Sequence, residues 1–117
     1  KESAIIRRGD TARMDFHQTM RVFEDDAVDF VFVEGLHSIL DEEKREGRSV
    51  LHVICAVTEK NALELSKQHP KPICIAGRIT CSKKFKGRKH FRGIPLVRFP
   101  DDTPRFLRLI GYDNFSA

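Results

Sequence analysis

"HVICAVTEKNALELSKQHPKPICIAGRI", residues 52–79, decides the fold class. Two short apolar runs stand in and around it, "VLHVICAV" (residues 50–57) and "PICIA" (residues 72–76), and both have the β-branched content of strands buried in a sheet. Between them Thr58 is placed to cap a helix over 59–68, which Pro70 and Pro72 end. Strand, helix and strand in this order predict a right-handed crossover that pairs the two strands in parallel. Cys55 and Cys74 fall inside the apolar runs and read as small core residues, and His52 reads as a satisfied core or edge residue.

The flanking sequence extends this pattern. Ala12, Phe16, Met20 and Phe23 recur at spacings of four, four and three, one face of a helix over about 11–25 capped by Asp10 or Thr11. "AVDFVFV", residues 27–33, reads as another buried strand, and the polar "DEEKREG", residues 41–47, as a short solvated helix or a loop. A long basic loop follows residue 76, and "IPLVRF", residues 94–99, reads as an edge strand because it carries a Pro. The last helix is announced by Asp102 or Thr103 as cap, Pro104 in the first turn, an apolar face of Phe106, Leu107, Leu109 and Ile110, and Gly111 as the stop. The expected architecture is α/β, a mainly parallel sheet covered by helices. The 117 residues form a single domain or the C-terminal part of one.

Composition narrows the class. With 40% hydrophobic and 32% charged residues, and no apolar run near the roughly 18 to 20 residues that span a bilayer, the chain reads as globular and not as a membrane protein. It does not begin with Met and shows no signal-peptide pattern, so a piece of a longer protein is expected. Cys55, Cys74 and Cys81 form no CxxC pair, which points to a reducing compartment and the cytosol. Cys81 lies in the basic loop, with no second metal ligand at a recognised spacing. His17, His37, His52, His69 and His90 build no HExxH motif and no G-x-S-x-G serine is present, so metalloprotease and serine-hydrolase sites have no support.

Charge is distributed unevenly. Residues 1–69 hold ten Lys/Arg and fourteen Asp/Glu, a balance of −4, whereas residues 70–117 hold eleven and three, a balance of +8. The centre of the basic half is "RITCSKKFKGRKHFRG", residues 78–93, with Arg78, Lys83, Lys84, Lys86, Arg88, Lys89 and Arg92 and no acid. It is either a solvated loop or a surface that meets phosphate.

Open α/β sheets bind ligands just beyond the carboxyl ends of their strands. In "DFVFVEGLHSI", residues 29–39, Glu34 and Gly35 hold that place. A carboxylate there suits Mg²⁺, and a glycine lets backbone approach a phosphate closely; the plainer reading is an acid that ends the strand in solvent.

"DFVFVEGL" resembles the second phosphate-and-metal motif of P-loop nucleotide-binding proteins, and the molybdopterin-guanine dinucleotide biosynthesis protein B (MobB) family in particular. "RRGDTAR", residues 7–13, is similar to that family's Gly-Lys-Asp-Ser/Thr-x-Arg segment through Asp10, Thr11 and Arg13, with Gly9 where Lys is usual. The order of elements from His52 to the Asp-Asp-capped last helix also resembles the family's closing half. The glycine-rich G-x-x-x-x-G-K-[ST] loop that cradles the β-phosphate is absent from the sequence, and is expected upstream of Lys1.

The resemblance implies a three-layer, P-loop NTPase-like sheet, incomplete in this chain. It implies a GTP-binding adaptor in molybdenum-cofactor maturation, hydrolysing GTP weakly at best. Its implied partners are a guanine nucleotide with Mg²⁺, a molybdopterin-type cofactor and the guanylyltransferase that joins the two. Glu34 would serve the metal; Asp10, Thr11, Arg13 and Gly35 would serve the nucleotide, and Lys83 and Lys84 its phosphates or the cofactor's. Two other classes stay open: a P-loop kinase related to uridine kinase or phosphoribulokinase, in which His37 and the basic loop face a sugar phosphate, and a nucleic-acid module stacking bases on Phe85, His90 and Phe91. A sheet of so few strands also leaves an edge or face uncovered, which predicts pairing with an upstream segment or a homodimer.

Overall fold

Ala12, Phe16, Met20 and Phe23 do share a helix face: helix α1 (Ala12–Asp25) buries Ala12 and Phe16 and half-buries the other two. The structure, a computed structural model, describes residues 12–112, so the cap expected at Asp10 or Thr11 lies outside the described residues. The chain divides between Val50 and Leu51 into two compact units.

In the first unit α1 ends in a reverse turn in which the Ala27 N–H donates to the Glu24 carbonyl at 3.0 Å and the Val28 N–H to the Phe23 carbonyl at 3.0 Å. This pair of bonds is the Schellman arrangement, and it places Ala27 at φ 56°, a left-handed position that favours glycine. The segment expected as a strand over 27–33 therefore begins as a helix stop. It forms no strand and joins neither sheet of the described residues, and Phe32 is 74% exposed. Strand composition does not create a strand without a neighbour to receive its N–H and C=O groups.

Helix α2 (His37–Arg45) covers part of the polar stretch that was open between helix and loop. It closes with the same turn, Gly47 N–H to the Lys44 carbonyl and Arg48 N–H to the Glu43 carbonyl, with Gly47 at φ 90°. Glu43 is buried yet carries a charge partner, since Arg48 Nε lies 3.1 Å from its Oε2 and His17 Nε2 3.5 Å from its Oε1.

The second unit holds the crossover. Strand β1 (Val53–Cys55) pairs in parallel with strand β2 (Cys74–Ala76), Ile54 opposite Ile75, and helix α3 (Glu59–Gln68) connects them. Thr58 caps α3 as expected, its hydroxyl accepting from the Asn61 N–H at 3.1 Å, while Asn61 Oδ1 accepts from the Val57 N–H at 3.1 Å. Ala62 of α3 packs into a core with Ile54, Ile75, Ile79, Phe85, Phe91 and Leu96.

β2 is buried throughout, as read, and β1 is not: Val53 is 38% exposed and Cys55 is exposed, which corrects its placement in the core. β2 has neighbours on both edges because Leu96 bridges Ile75 in parallel and the Val97 N–H donates to the Ile75 carbonyl at 2.9 Å. Successive residues of a strand face opposite ways. Ile75 thus enters the cluster with α3, and Cys74 a second cluster with Val97 and Phe106.

Within the expected basic loop lie two 3₁₀ turns, Arg78–Cys81 and Lys83–Phe85, and strand β3 (His90–Phe91), which forms a hairpin with strand β4 (Ile94–Pro95) at the start of the stretch expected as an edge strand. Helix α4 (Thr103–Leu109) follows with Pro104 in its first turn and Gly111 at φ 85° after its end. The whole is a mixed α/β chain with a small two-stranded parallel sheet and four α-helices among the described residues. No helix among them is long and apolar enough to cross a membrane.

Candidate functional site

The basic segment begins where β2 stops. Gly77 sits at φ 101° and ψ −169°, and a Cβ there would stand 2.6 Å from the Ala56 carbonyl oxygen, so only glycine lets the ends of β1 and β2 lie this close. From Gly77 the chain turns through Thr80, which is buried and whose hydroxyl donates to the Gly77 carbonyl at 2.8 Å.

Two arginines hold the segment in shape. Arg98 donates from Nε to the Thr80 carbonyl at 3.0 Å, from Nη1 to the Arg88 carbonyl at 2.9 Å and from Nη2 to the Phe85 carbonyl at 2.6 Å. Its own N–H donates to Asp102 Oδ2 at 2.8 Å, so Asp102 serves Arg98 and makes no side-chain cap bond to α4. Arg105 donates from Nη1 to the Leu96 carbonyl at 2.7 Å and from Nη2 to the Lys89 carbonyl at 3.1 Å. A guanidinium supplies five donors in a fixed fork, and here five bonds from two of them gather carbonyls of Thr80, Phe85, Arg88, Lys89 and Leu96.

Phe85 and Phe91 anchor the segment from below, with ring centroids 5.4 Å apart in an edge-to-face contact. Both are core residues, 2% and 7% exposed, so neither presents a ring on which a base could stack. Lys83, Lys84, Lys86, Arg88, Lys89 and Arg92 remain exposed. Lys84 Nζ and Arg88 Cζ stand 5.7 and 5.8 Å from the Phe85 ring centroid. Lys84 also pairs with Glu59, in the first turn of α3. What results is a cationic surface on a clamped backbone, one acid at its margin, beside the carboxyl ends of two parallel strands.

Of the residues expected to bind phosphate, Lys83 and Lys84 belong to this surface, in the second unit. Arg13, Glu34 and Gly35 belong to the first unit, and Asp10 and Thr11 lie outside the described residues. Arg13 is ion-paired, Nη2 to Glu42 Oε2 at 2.5 Å. Glu34 is exposed, and Gly35 and Leu36 are both left-handed, at φ 78° and 56°, turning the chain into α2. Such a conformation at Leu36 costs about 1 kcal/mol. No group of three His, Cys, Asp or Glu side chains able to hold a metal occurs among the described residues. A single exposed carboxylate such as Glu34 fits Mg²⁺ held mainly by water and phosphate oxygens, and fits no all-protein cage.

Arg98 and Arg105 were not singled out from sequence. The available signal was an arginine inside each of two otherwise apolar runs, "LVRF" and "PRFL", a place where an unpaired charge is costly. No family model, curated protein or solved structure matches the chain.

Proposed function

We propose that the chain binds a phosphorylated ligand on the cationic surface of residues 83–92, as part of a nucleotide-binding adaptor that serves molybdenum-cofactor maturation in the cytosol. The observation that carries this reading is the clamp. Six exposed cations sit on a backbone whose carbonyls are drawn inward by Arg98 and Arg105, so the positive field is fixed in place before a ligand arrives. The position, beyond the carboxyl ends of β1 and β2, is where open α/β sheets hold ligands.

On this reading the small sheet belongs to a larger three-layer, P-loop NTPase-like sheet, with helices on both faces. GTP and a molybdopterin-type cofactor are the polyanions that the resemblance of "DFVFVEGL" favours. Glu34, in the first unit, would hold Mg²⁺, as the same resemblance implies. Homodimer formation and a guanylyltransferase partner belong to the same proposal. The burial of Phe85 and Phe91 weighs against the nucleic-acid reading, which needs those rings at the surface.

Calorimetric titration of the chain with GTP, with and without Mg²⁺, tests the proposal. Replacing Lys83, Lys84 and Lys86 together with Ala is expected to weaken binding at least tenfold at low salt, and Glu34→Gln to remove the Mg²⁺ dependence. Unchanged affinity in the triple variant would overturn the assignment of the surface.

A further inference from the structure

Glu59 is the one acid, among the described residues, that pairs with a cation of the segment 78–92. It occupies the first turn of α3, directly beyond the end of β1, and its Oε2 receives the Lys84 ammonium. The other exposed cations of the segment, Arg78, Lys83, Lys86, Arg88, Lys89 and Arg92, have no acid partner among the described residues. Lys84 is also the cation that, with Arg88, lies near the Phe85 ring, in the middle of the segment.

From this arrangement we infer that Glu59 is a built-in competitor for the cationic surface: its carboxylate takes Lys84 when no ligand is bound, and a phosphate must displace it. The inference rests on the phosphate-binding reading above. The Lys84 side chain is 59% exposed and that of Glu59 38%, so the pair is of the solvent-screened kind that an incoming dianion can break. A carboxylate carries one charge and a phosphate close to two. Exchange therefore favours ligands with a dianionic or more highly charged group and disfavours carboxylates, which makes Glu59 a determinant of specificity as well as affinity. Thr58 and Asn61 close the N-terminus of α3 independently of Glu59, so its charge is removable without removing the cap.

The test uses inorganic pyrophosphate and GTP·Mg²⁺ as probes in low-salt titrations of the whole chain. Glu59→Gln is expected to raise affinity roughly twofold to fivefold, the range set by an exposed ion pair. The gain should disappear when Lys84→Ala is added, and should shrink as NaCl rises from about 20 to 300 mM. Thermal melting of each variant, unchanged within a few degrees, identifies the effect as electrostatic. If Glu59→Gln leaves affinity unchanged while Lys83→Ala with Lys86→Ala weakens it, the competitor inference is overturned and the phosphate surface stands. If neither variant alters binding, both are overturned.

Discussion

Replacing Gly77 with Ala is the most direct probe of how β1 and β2 end. Gly77 lies at φ 101° and ψ −169°, a region that is in practice confined to glycine and costs another residue about 1–3 kcal/mol. The new methyl would also meet the Ala56 carbonyl oxygen at 2.6 Å and the Ala56 nitrogen at 3.0 Å. Neither atom is free to retreat. The Ala56 N–H donates to the Ala76 carbonyl at 2.9 Å, and the Ala56 carbonyl accepts from the Ile79 N–H at 3.1 Å. Relieving the clash means stretching at least one of these bonds, worth about 0.5–1.5 kcal/mol each. The expected loss is roughly 2–5 kcal/mol, a large part of a small domain's stability. Gly93→Ala is the control, since Gly93 is at φ 81° with no heavy atom within 4 Å of where an added Cβ would stand, and only the left-handed penalty of about 1 kcal/mol applies. Urea unfolding of the whole chain, followed by circular dichroism, gives both values. If Gly77→Ala costs no more than Gly93→Ala, the strand ends are not in the close approach described.

Ala27→Gly should stabilise the chain by about 1 kcal/mol, because Ala27 holds the left-handed position of a turn in which Gly47 and Gly111 hold the equivalent places; unfolding midpoints in urea will measure it. Arg98→Lys keeps the charge but replaces a three-bond fork by a single ammonium, and should lower stability by roughly 2–3 kcal/mol and speed hydrogen exchange at Phe85 and Arg88. Ellman's reagent at pH 8 should react quickly with Cys55 and Cys81, which are exposed, and with Cys74 only on unfolding. Burial raises the Cys74 thiol from 9.0 to about 11, with Cys55 adding to the rise and Arg105 opposing it. The unfolded thiol therefore ionises first, so stability should be unaffected by this group below about pH 9 and should fall by up to roughly 2–3 kcal/mol between pH 9 and pH 11. Cys74→Ala should flatten that slope.

Where a feature was written locally, the sequence was enough to find it. Thr58 as a cap, the prolines after residue 69, Pro104 in a first turn and Gly111 at a helix end each act within four or five residues, and each stands where it was read. That residues 27–33 form no strand was not legible in their composition, because a strand depends on a neighbour that its own residues do not name. The same limit applies to Cys55: periodicity places it in an apolar run, but only the sheet's order decides which side of β1 is covered. At the site, the cations were visible as composition, while the five carbonyl bonds that give them a fixed backbone join residues 9 to 18 positions apart.

Those bonds also bear on why so much like charge is tolerated in so short a stretch. Residues 78–92 contain seven Lys/Arg and no acid, and the two clamping arginines add further positive charge. Mutual repulsion alone would favour an extended, solvated loop. Three arrangements oppose it in the fold: Phe85 and Phe91 are driven into the core, carbonyl dipoles face the Arg98 and Arg105 guanidiniums, and Lys84, Arg88 and Arg92 lie within 6 Å of the two ring centroids. None of these neutralises the outward-facing cations. Among the described residues only Glu59 does so, for one of them, and the remaining field is left to solvent and to whatever anion approaches. A loop serving structure alone would be more stable with some of these lysines replaced by neutral residues. Retaining them on a backbone clamped by its own arginines is what a pre-formed anion surface requires.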